Sequence, residues 1–548
     1  MSKRSSGLLV RSISLFLFAG CFSVTNQATA QNRLTTDNTP GLWVRPVQLE
    51  KVWAGVIDLT QGTRFTSPAE AVASAKLAGL HPYGSNKTIE AAISVFNPEI
   101  SKFFGKLSNS IISIQPDAAS RSVNWRFGVS QDDGTLESLV TALQLDAPLL
   151  PNRSDTYEEL GPGLTVARNG YELYFGSSRK QMEYAIKSRS DISLLSEKPP
   201  IDAGLWLVAD PAKWPLSIAR NINVSIALQT MRRLSAGKEV EIRLYPWGES
   251  VQAECLDLFR TAPVSPVEAR WLSQWEKALS GRLMAQASVG FDPRKPFWNQ
   301  LFTIVTEIER SIPGRENVAS VRDRINLGAL LARISPETDL YPNLSGLTVG
   351  AVTPDDPNGA PTVVATLHAR DQRATQILVE KVVMPLFRTI GDDPKSNRPR
   401  PNAGNADSRI RGISLVQNRP IYLFIEQTDI FLVWGSRSIA EATSGQLASK
   451  TVFNSTAESW FKQLAASGPV HRAISIYPDA LVRWQIQRGE KATVWTDSAA
   501  GLPPVVWLGR NTKESSRDII VFSGTRTYVN SLLSKIPNRE PNAEQTNQ

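Results

Sequence analysis

The residues able to do chemistry in this 548-residue chain are few and widely spaced. Its three histidines, His81, His368 and His471, are each more than 100 positions from the next, and no His-x-x-x-His or Cys-x-x-Cys pair supplies metal-ligand spacing. A Ser-His-Asp relay could be assembled from distant positions, because a triad is defined by geometry and not by order. With no Gly-x-Ser-x-Gly elbow present, each histidine is expected to be structural: His81 in a loop before Pro82, His368 ending a strand, His471 opening one. Ser177 with Lys180 and Ser459 with Lys462 would share a helical face, the pattern of an acylating serine with a lysine base, but no Lys-Thr-Gly partner accompanies them. Gly84-Ser-Asn-Lys-Thr88 ends like a phosphate loop and lacks the upstream glycine. The acidic pairs Asp132-Asp133, Asp355-Asp356 and Asp392-Asp393 could hold calcium or serve as glycosidase carboxylates. All lie beside Gly or Pro, where aspartate favours turns.

Apolar runs that close on aspartate recur at Val56-Ile-Asp58, Val208-Ala-Asp210, Val289-Gly-Phe-Asp292 and Ile476-Tyr-Pro-Asp479. They read as strands ending in helix caps, with acids gathered at one sheet edge as the functional alternative. Among 14 tryptophans, Trp271 and Trp275 form a helical core stripe, and Trp125, Trp206 and Trp434 fall within strands. Trp214, Trp247 and Trp484 are the expected exposed aromatics, candidates to line a ligand groove. No cofactor and no metal is implied.

Lys3, Arg4 and Arg11 precede an apolar run from Ile13 to Val24, and Ala28-Thr-Ala30 follows with the small-x-small pattern of a signal peptidase site. Residues 1–30 therefore read as a signal peptide, with Gln31 as the mature N-terminus. A competing reading takes Phe18-Ala-Gly-Cys21 as a lipobox, with Cys21 lipidated; it departs from that pattern at Phe18. Cleavage after Ala30 leaves Cys255 as the one mature cysteine and no intramolecular disulfide. Alternation places Cys255 with Val251, Ala253, Asp257 and Phe259 on one strand face, as a buried thiol. Loss of the three leader cations lowers the formal charge from +8 to +5. The densest basic run, Arg398 to Arg411, is broken by Pro, Gly and Asn, which argues against nucleic acid as a partner. No second apolar run is long enough to span a membrane.

The chain reads as one architecture written twice. Tyr171-Glu-Leu-Tyr-Phe-Gly-Ser-Ser-Arg-Lys-Gln-Met-Glu-Tyr-Ala185 matches Ile430-Phe-Leu-Val-Trp-Gly-Ser-Arg-Ser-Ile-Ala-Glu-Ala442, and Leu205 to Trp214 matches Ile474 to Trp484. The first match aligns Gly176 with Gly435, the second Asp210 with Asp479. Strand pairs at 111–114 with 123–129 and 240–245 with 251–259 have counterparts at 347–352 with 362–368 and 505–508 with 519–522, each before a helix. The expected fold class is α+β: two similar lobes, each an antiparallel or mixed sheet of β-β-α units with helices on one face. Residues 45–280 would form the first lobe and 281–536 the second, with 31–44 and 391–411 as linkers and 537–548 as a disordered tail. The repeated strand-Gly-Ser-helix units and the export signal resemble large exported bacterial proteins of unknown function, including those frequent in planctomycetes. The resemblance implies an envelope or extracellular location and supplies no catalytic residues.

The sequence thus points to an exported, periplasmic or extracellular, non-enzymatic binding or structural protein of the cell envelope, lipid-anchored if Cys21 is modified. The alternative is a secreted hydrolase, glycosidase- or peptidase-like, using unidentified carboxylates. Candidate partners are an envelope component or an extracellular glycan.

Overall fold

The computed structural model describes residues 42–77, strand segments within 112–176, and, with interruptions, 202–213, 231–310, 317–390, 409–489 and 497–536. The expected signal peptide with Ala28, Ala30 and Gln31, Cys21, His81, residues 84–88, Ser177–Lys180, Asp132-Asp133, Asp392-Asp393, Trp214, Trp247 and Trp271 lie outside these residues. The protein is α+β, with helices around antiparallel sheet. No helix of the described residues is long and apolar enough to cross a membrane.

Contacts group the chain into two compact units. The first draws its described residues from 42–228, 237–254 and 523–536. It begins with strand β1 (Leu42–Pro46) and helices α1 (Leu49–Asp58) and α2 (Pro68–Leu77). Strands β2 (Ile112–Ile114), β3 (Trp125–Gly128), β4 (Tyr157–Gly161), β5 (Leu164–Asn169), β6 (Glu172–Gly176), β7 (Leu205–Ala209), β8 (Val240–Leu244) and β9 (Ser250–Leu256) follow. Their orders are β4-β5-β6-β3 in one sheet and β9-β8-β7-β1-β2 in another run. Val56 to Asp58, expected as a strand, is instead the last turn of α1. The β9 strand ends at Leu256 because Asp257 turns to a φ of 62°, so the expected run to Phe259 is cut short; Cys255 is buried as expected.

The second unit holds Gln229–Ala236 and Cys255–Phe522. Its elements are α3 (Ser273–Ala278), β10 (Leu283–Gly290), α4 (Lys295–Arg310), α5 (Val321–Ala332), β11 (Leu344–Val352) and β12 (Thr362–Ala369). Then come α6 (Gln372–Ile377, continued through a π-helical stretch Leu378–Val383 into Met384–Ile390), β13 (Arg411–Val416), β14 (Arg419–Glu426) and β15 (Asp429–Trp434). The remainder is α7 (Arg437–Ala448), α8 (Thr456–Ala465), β16 (Arg472–Ile476), α9 (Pro478–Gln487), β17 (Val505–Asn511) and β18 (Ser516–Ser523). Arg411, assigned from sequence to a linker, starts a strand.

Strand order here is β13-β14-β15-β12-β11-β10-β16-β17-β18. Adding nine to every strand number of the first unit gives this same succession, with β3 and β2 standing where β12 and β11 pair. The Gly-Ser turn after β15 works as a helix start: Gly435 takes a φ of 124°, and the Ser436 hydroxyl accepts from the Ile439 N–H.

Helices cover both faces of the second sheet, where one covered face was expected. Val352, Val364, Phe424, Phe431 and Val433 on one face bury Trp275 and Leu279 beside α3 together with Ile439 and Ala440 of α7. Leu347, Leu367 and Ile430 on the other face pack with Phe297, Trp298 and Leu301 of α4 and Leu378 and Val382 of α6. Strands apolar on both sides need two such covers.

The units also divide otherwise than at residue 280. The described residues of 255–280 belong to the second unit, with Trp275 and Leu279 in its core. Conversely α10 (Thr525–Ser534) belongs to the first, where Leu533 and Ile536 meet Phe65 and Ala71. Arg526 of α10 is held there between Asp58 and Glu249.

Candidate functional site

Antiparallel register brings four polar side chains onto one face of the second sheet. Ser288 of β10 lies opposite Thr348 of β11, Gly346 opposite His368 of β12, and His368 opposite Asp429 of β15. The Asp429 carboxylate Oδ1 is 2.8 Å from His368 Nδ1, and His368 Nε2 is 2.7 Å from the Thr348 hydroxyl. A carboxylate can only accept, so Nδ1 carries a proton, and in the neutral ring Nε2 accepts from Thr348. This is the order of a hydroxyl-imidazole-carboxylate relay, the arrangement in which a histidine activates a nucleophile.

The relay is closed from above. Ser288 donates to the Arg270 carbonyl at 2.7 Å and lies 3.0 Å from the Thr348 hydroxyl, which is itself 3.2 Å from that carbonyl. Residues 267–270 reach this position because the Ala269 N–H bonds the Val470 carbonyl and because position 290 is glycine: a Cβ there would run into the Val267 carbonyl. Arg270 also pairs with Asp429 at 3.1 Å, tying this strap to the acid of the relay. Ser288, Thr348 and His368 are each 0% exposed. Each hydroxyl has one proton, and both protons are engaged, Ser288's by Arg270 and Thr348's by His368. Thr348 is thus shielded from solvent beneath the strap.

A second constellation sits on the opposite face. Arg472 of β16 meets Asp518 of β18 bidentately at 2.7–3.0 Å, Trp507 Nε1 donates to the same carboxylate at 3.0 Å, and the guanidinium stacks 4.4 Å over the Phe259 ring. Burial pushes the Asp518 carboxyl above its usual range, against the pull of Arg472 and Trp507. The neighbouring His471 accepts from the Asn511 N–H on Nδ1, and burial, with Arg472 and Arg510 nearby, lowers its pKa to about 4. Among the described residues no group of His, Cys, Asp and Glu is placed to hold a metal ion.

No family model, no curated protein and no solved structure matches this chain.

The residues singled out in the sequence do not converge. Trp484, expected to be exposed, is instead 4% exposed on the inner side of α9, with Arg488 over its ring. Its position follows the helix period, since Ala480 is buried one turn earlier. Asp210 and Asp292 do cap turns, accepting from the Ala212 and Arg294 N–H groups. Asp479 lies inside α9 and accepts from Gly501 and Arg483 instead. Ser459 is mid-helix in α8, and Lys462 pairs with Glu458. Asp355 accepts from Ser436 at 2.6 Å and pairs with Arg282 at 2.8 Å, which lowers its pKa, and Asp356 closes a turn on Asn358.

Sequence reasoning passed over Ser288, Thr348 and Asp429. The available signal was parity: Gln286 and Ser288, Thr348, and Thr366 and His368 occupy the inward positions of otherwise apolar strands. Polar residues on a buried parity must find partners within the sheet.

Proposed function

We propose that the protein is an exported, non-enzymatic binding or structural component of the cell envelope. The observation that carries this is the sealed relay: the hydroxyls and the imidazole best arranged for catalysis among the described residues are fully buried and spend their protons on the sheet and its strap. The leader pattern of residues 1–30 supports export. The equal succession of strands in the two units, with the matched segments around Gly176 and Gly435, supports descent of both halves from one ancestral unit. One observation favours the hydrolase reading, namely the Thr348–His368–Asp429 order itself.

His368→Gln separates the two. In the binding reading it lowers unfolding free energy by about 1–3 kcal/mol, the cost of leaving buried hydroxyl and carboxylate partners short. A fluorophosphonate probe should then label neither the parent nor the variant. Labelling of Thr348 in the parent, lost in a folded His368→Gln variant, would install the hydrolase instead. Export is checked by the N-terminus of protein recovered from the producing cell. The expected mature chain starts at Gln31, and a diacylated Cys21 found by mass spectrometry would replace secretion by anchoring.

A further inference from the structure

The contact between Thr348 and His368 can carry a hydrogen bond in either direction. In the neutral ring the Thr348 hydroxyl donates to Nε2, and the Ser288 hydroxyl donates to the Arg270 carbonyl at 2.7 Å. A proton on Nε2 reverses the first of these, and Thr348 must then send its own hydrogen elsewhere. Two acceptors are in reach, the Arg270 carbonyl at 3.2 Å and the Ser288 hydroxyl at 3.0 Å. A carbonyl has two lone pairs, so Arg270 can receive from Ser288 and Thr348 together. The protonated ring therefore leaves every donor of the relay with an acceptor, and it adds one hydrogen bond to the strap.

The charges around the ring accommodate that proton. Asp429 of β15 accepts from Nδ1 at 2.8 Å in both states and is the countercharge to an imidazolium. Strands β10 and β11 face the ring with the neutral hydroxyls of Ser288 and Thr348. The strap faces it with Arg270, whose guanidinium binds the same Asp429 oxygen at 3.1 Å and opposes a second positive charge; at 45% side-chain exposure that opposition is screened by solvent. Glu268, the acid of the strap itself, is exposed, and Glu426, opposite Asp429 on β14, lies 3.9 Å from Arg409. Past the strand ends Arg370 pairs with Asp371, and Asp292 with Arg294. Residues 267–270 belong to no helix or strand and are tied down by the Ala269 amide, the two hydroxyls and the exposed Arg270 pair, so lifting them is a local opening and not an unfolding of the sheet.

We propose that the relay is a proton-operated latch, in which protonation of His368 turns the Thr348 hydroxyl onto the Arg270 carbonyl and clamps residues 267–270 to the sheet. One proton passes from solvent to Nε2, one hydrogen bond passes from the ring to the strap, and no covalent bond of the backbone or side chains changes. Because His368 is 0% exposed, the proton enters when the strap lifts and is held when it closes. Acid acts here with the opposite sign to its effect at His471, where an arriving proton meets the Asn511 N–H. The inference goes beyond the binding reading and does not depend on it, because strap closure is read at one amide and catalysis by labelling of Thr348.

The test follows hydrogen exchange of the full chain at the Ala269 amide, which donates to the Val470 carbonyl. Its protection is corrected for the intrinsic pH dependence of exchange and taken relative to the amides of β11, so that changes in global stability cancel. That ratio should rise roughly fivefold from about pH 8 to pH 5, the effect of one added hydrogen bond over the range in which imidazoles ordinarily titrate. Ring-nitrogen NMR of the three histidines follows charge directly, and Nε2 of His368 should gain its proton over the same interval. Thr348→Val keeps a similar shape without the hydroxyl, so its ratio should stay flat on acidification, and His368→Gln should be equally flat. Should both variants fail to fold, the parent decides alone. An Nε2 still unprotonated at pH 5, or a ratio that stays constant or falls while the ring is protonated, would overturn the latch. A rise of parental size in folded Thr348→Val would overturn it as well, by placing the effect outside the relay.

Discussion

Replacing Asp518 with alanine is expected to destabilise the second unit by about 3–5 kcal/mol, the largest single-residue effect anticipated for this protein. Arg472 and Asp518 are 4% and 0% exposed at their side chains, so neither charge has recourse to water. Desolvating such a pair is costly, and the cost is offset only because Arg472 Nε and Nη2 reach the carboxylate, Asn511 Oδ1 accepts a further guanidinium hydrogen from Nη1, and Trp507 satisfies the acid. Alanine removes the carboxylate and with it the countercharge, and leaves a buried guanidinium with Asn511 Oδ1 as its remaining acceptor. The same reasoning makes a contrasting prediction for the pair. Arg472→Met with Asp518→Leu should be much less destabilising than Asp518→Ala alone, because no uncompensated charge remains. Urea unfolding followed by tryptophan fluorescence reads both, with Trp507 as a local reporter. A loss below about 1 kcal/mol for Asp518→Ala would mean that water enters beside Phe259 and that the pair is not the dry contact described.

The ion pair and the relay also show where reading the sequence stops. Strands β11, β12, β17 and β18 were legible as elements because apolar alternation and flanking Gly or Pro depend on near neighbours, and α6 was legible from Gln372 onward. What those strands bring together was not legible. Arg472 and Asp518 are 46 positions apart, and His368 and Asp429 are 61 apart. Their meeting depends on register, fixed by packing of whole faces and by no local spacing. The β13–β14 hairpin, absent from the β-β-α reading, follows the linker-like Pro-rich stretch and includes Pro420, which masked its strand character. The division at 280 failed to anticipate the units because Trp275 and Leu533 are buried against elements far from them in sequence. Trp484 misled for a different reason: the aspartate before it resembled a cap, whereas the helix period decides which way it faces. The exposed Leu327, Leu330 and Leu331 of α5 were invisible for the converse cause, since an apolar residue in a helical pattern reads as core until its neighbours are known.

Acidification should weaken the fold through His471 in the interval between pH 6.5 and about 4. Its Nδ1 already receives the Asn511 N–H at 2.9 Å, so a proton arriving there would replace an attraction by a clash of donors. Burial and the positive charges of Arg472 and Arg510 act in the same direction, and together they lower the folded-state pKa from 6.5 to about 4. An unfolded chain has none of these constraints and takes up the proton near 6.5. Between the two values the unfolded state therefore binds more protons than the folded one, and stability rises with pH across that window. Above 6.5 both states are neutral at this position and the contribution is flat; below about 4 both are charged and the full loss has been incurred. The shift corresponds to roughly 2–3 kcal/mol after allowance for residual solvent access. Carboxylates titrate over part of the same range, so the informative quantity is the difference between the parent and His471→Gln, whose amide oxygen can still accept from Asn511. Urea midpoints at pH 7 and pH 4.5 should converge between parent and variant as the pH falls, because the variant lacks the proton-linked loss. A parent and a folded variant with parallel pH dependence would show that His471 is protonated in the native state without penalty, and that Asn511 is free to turn away from it.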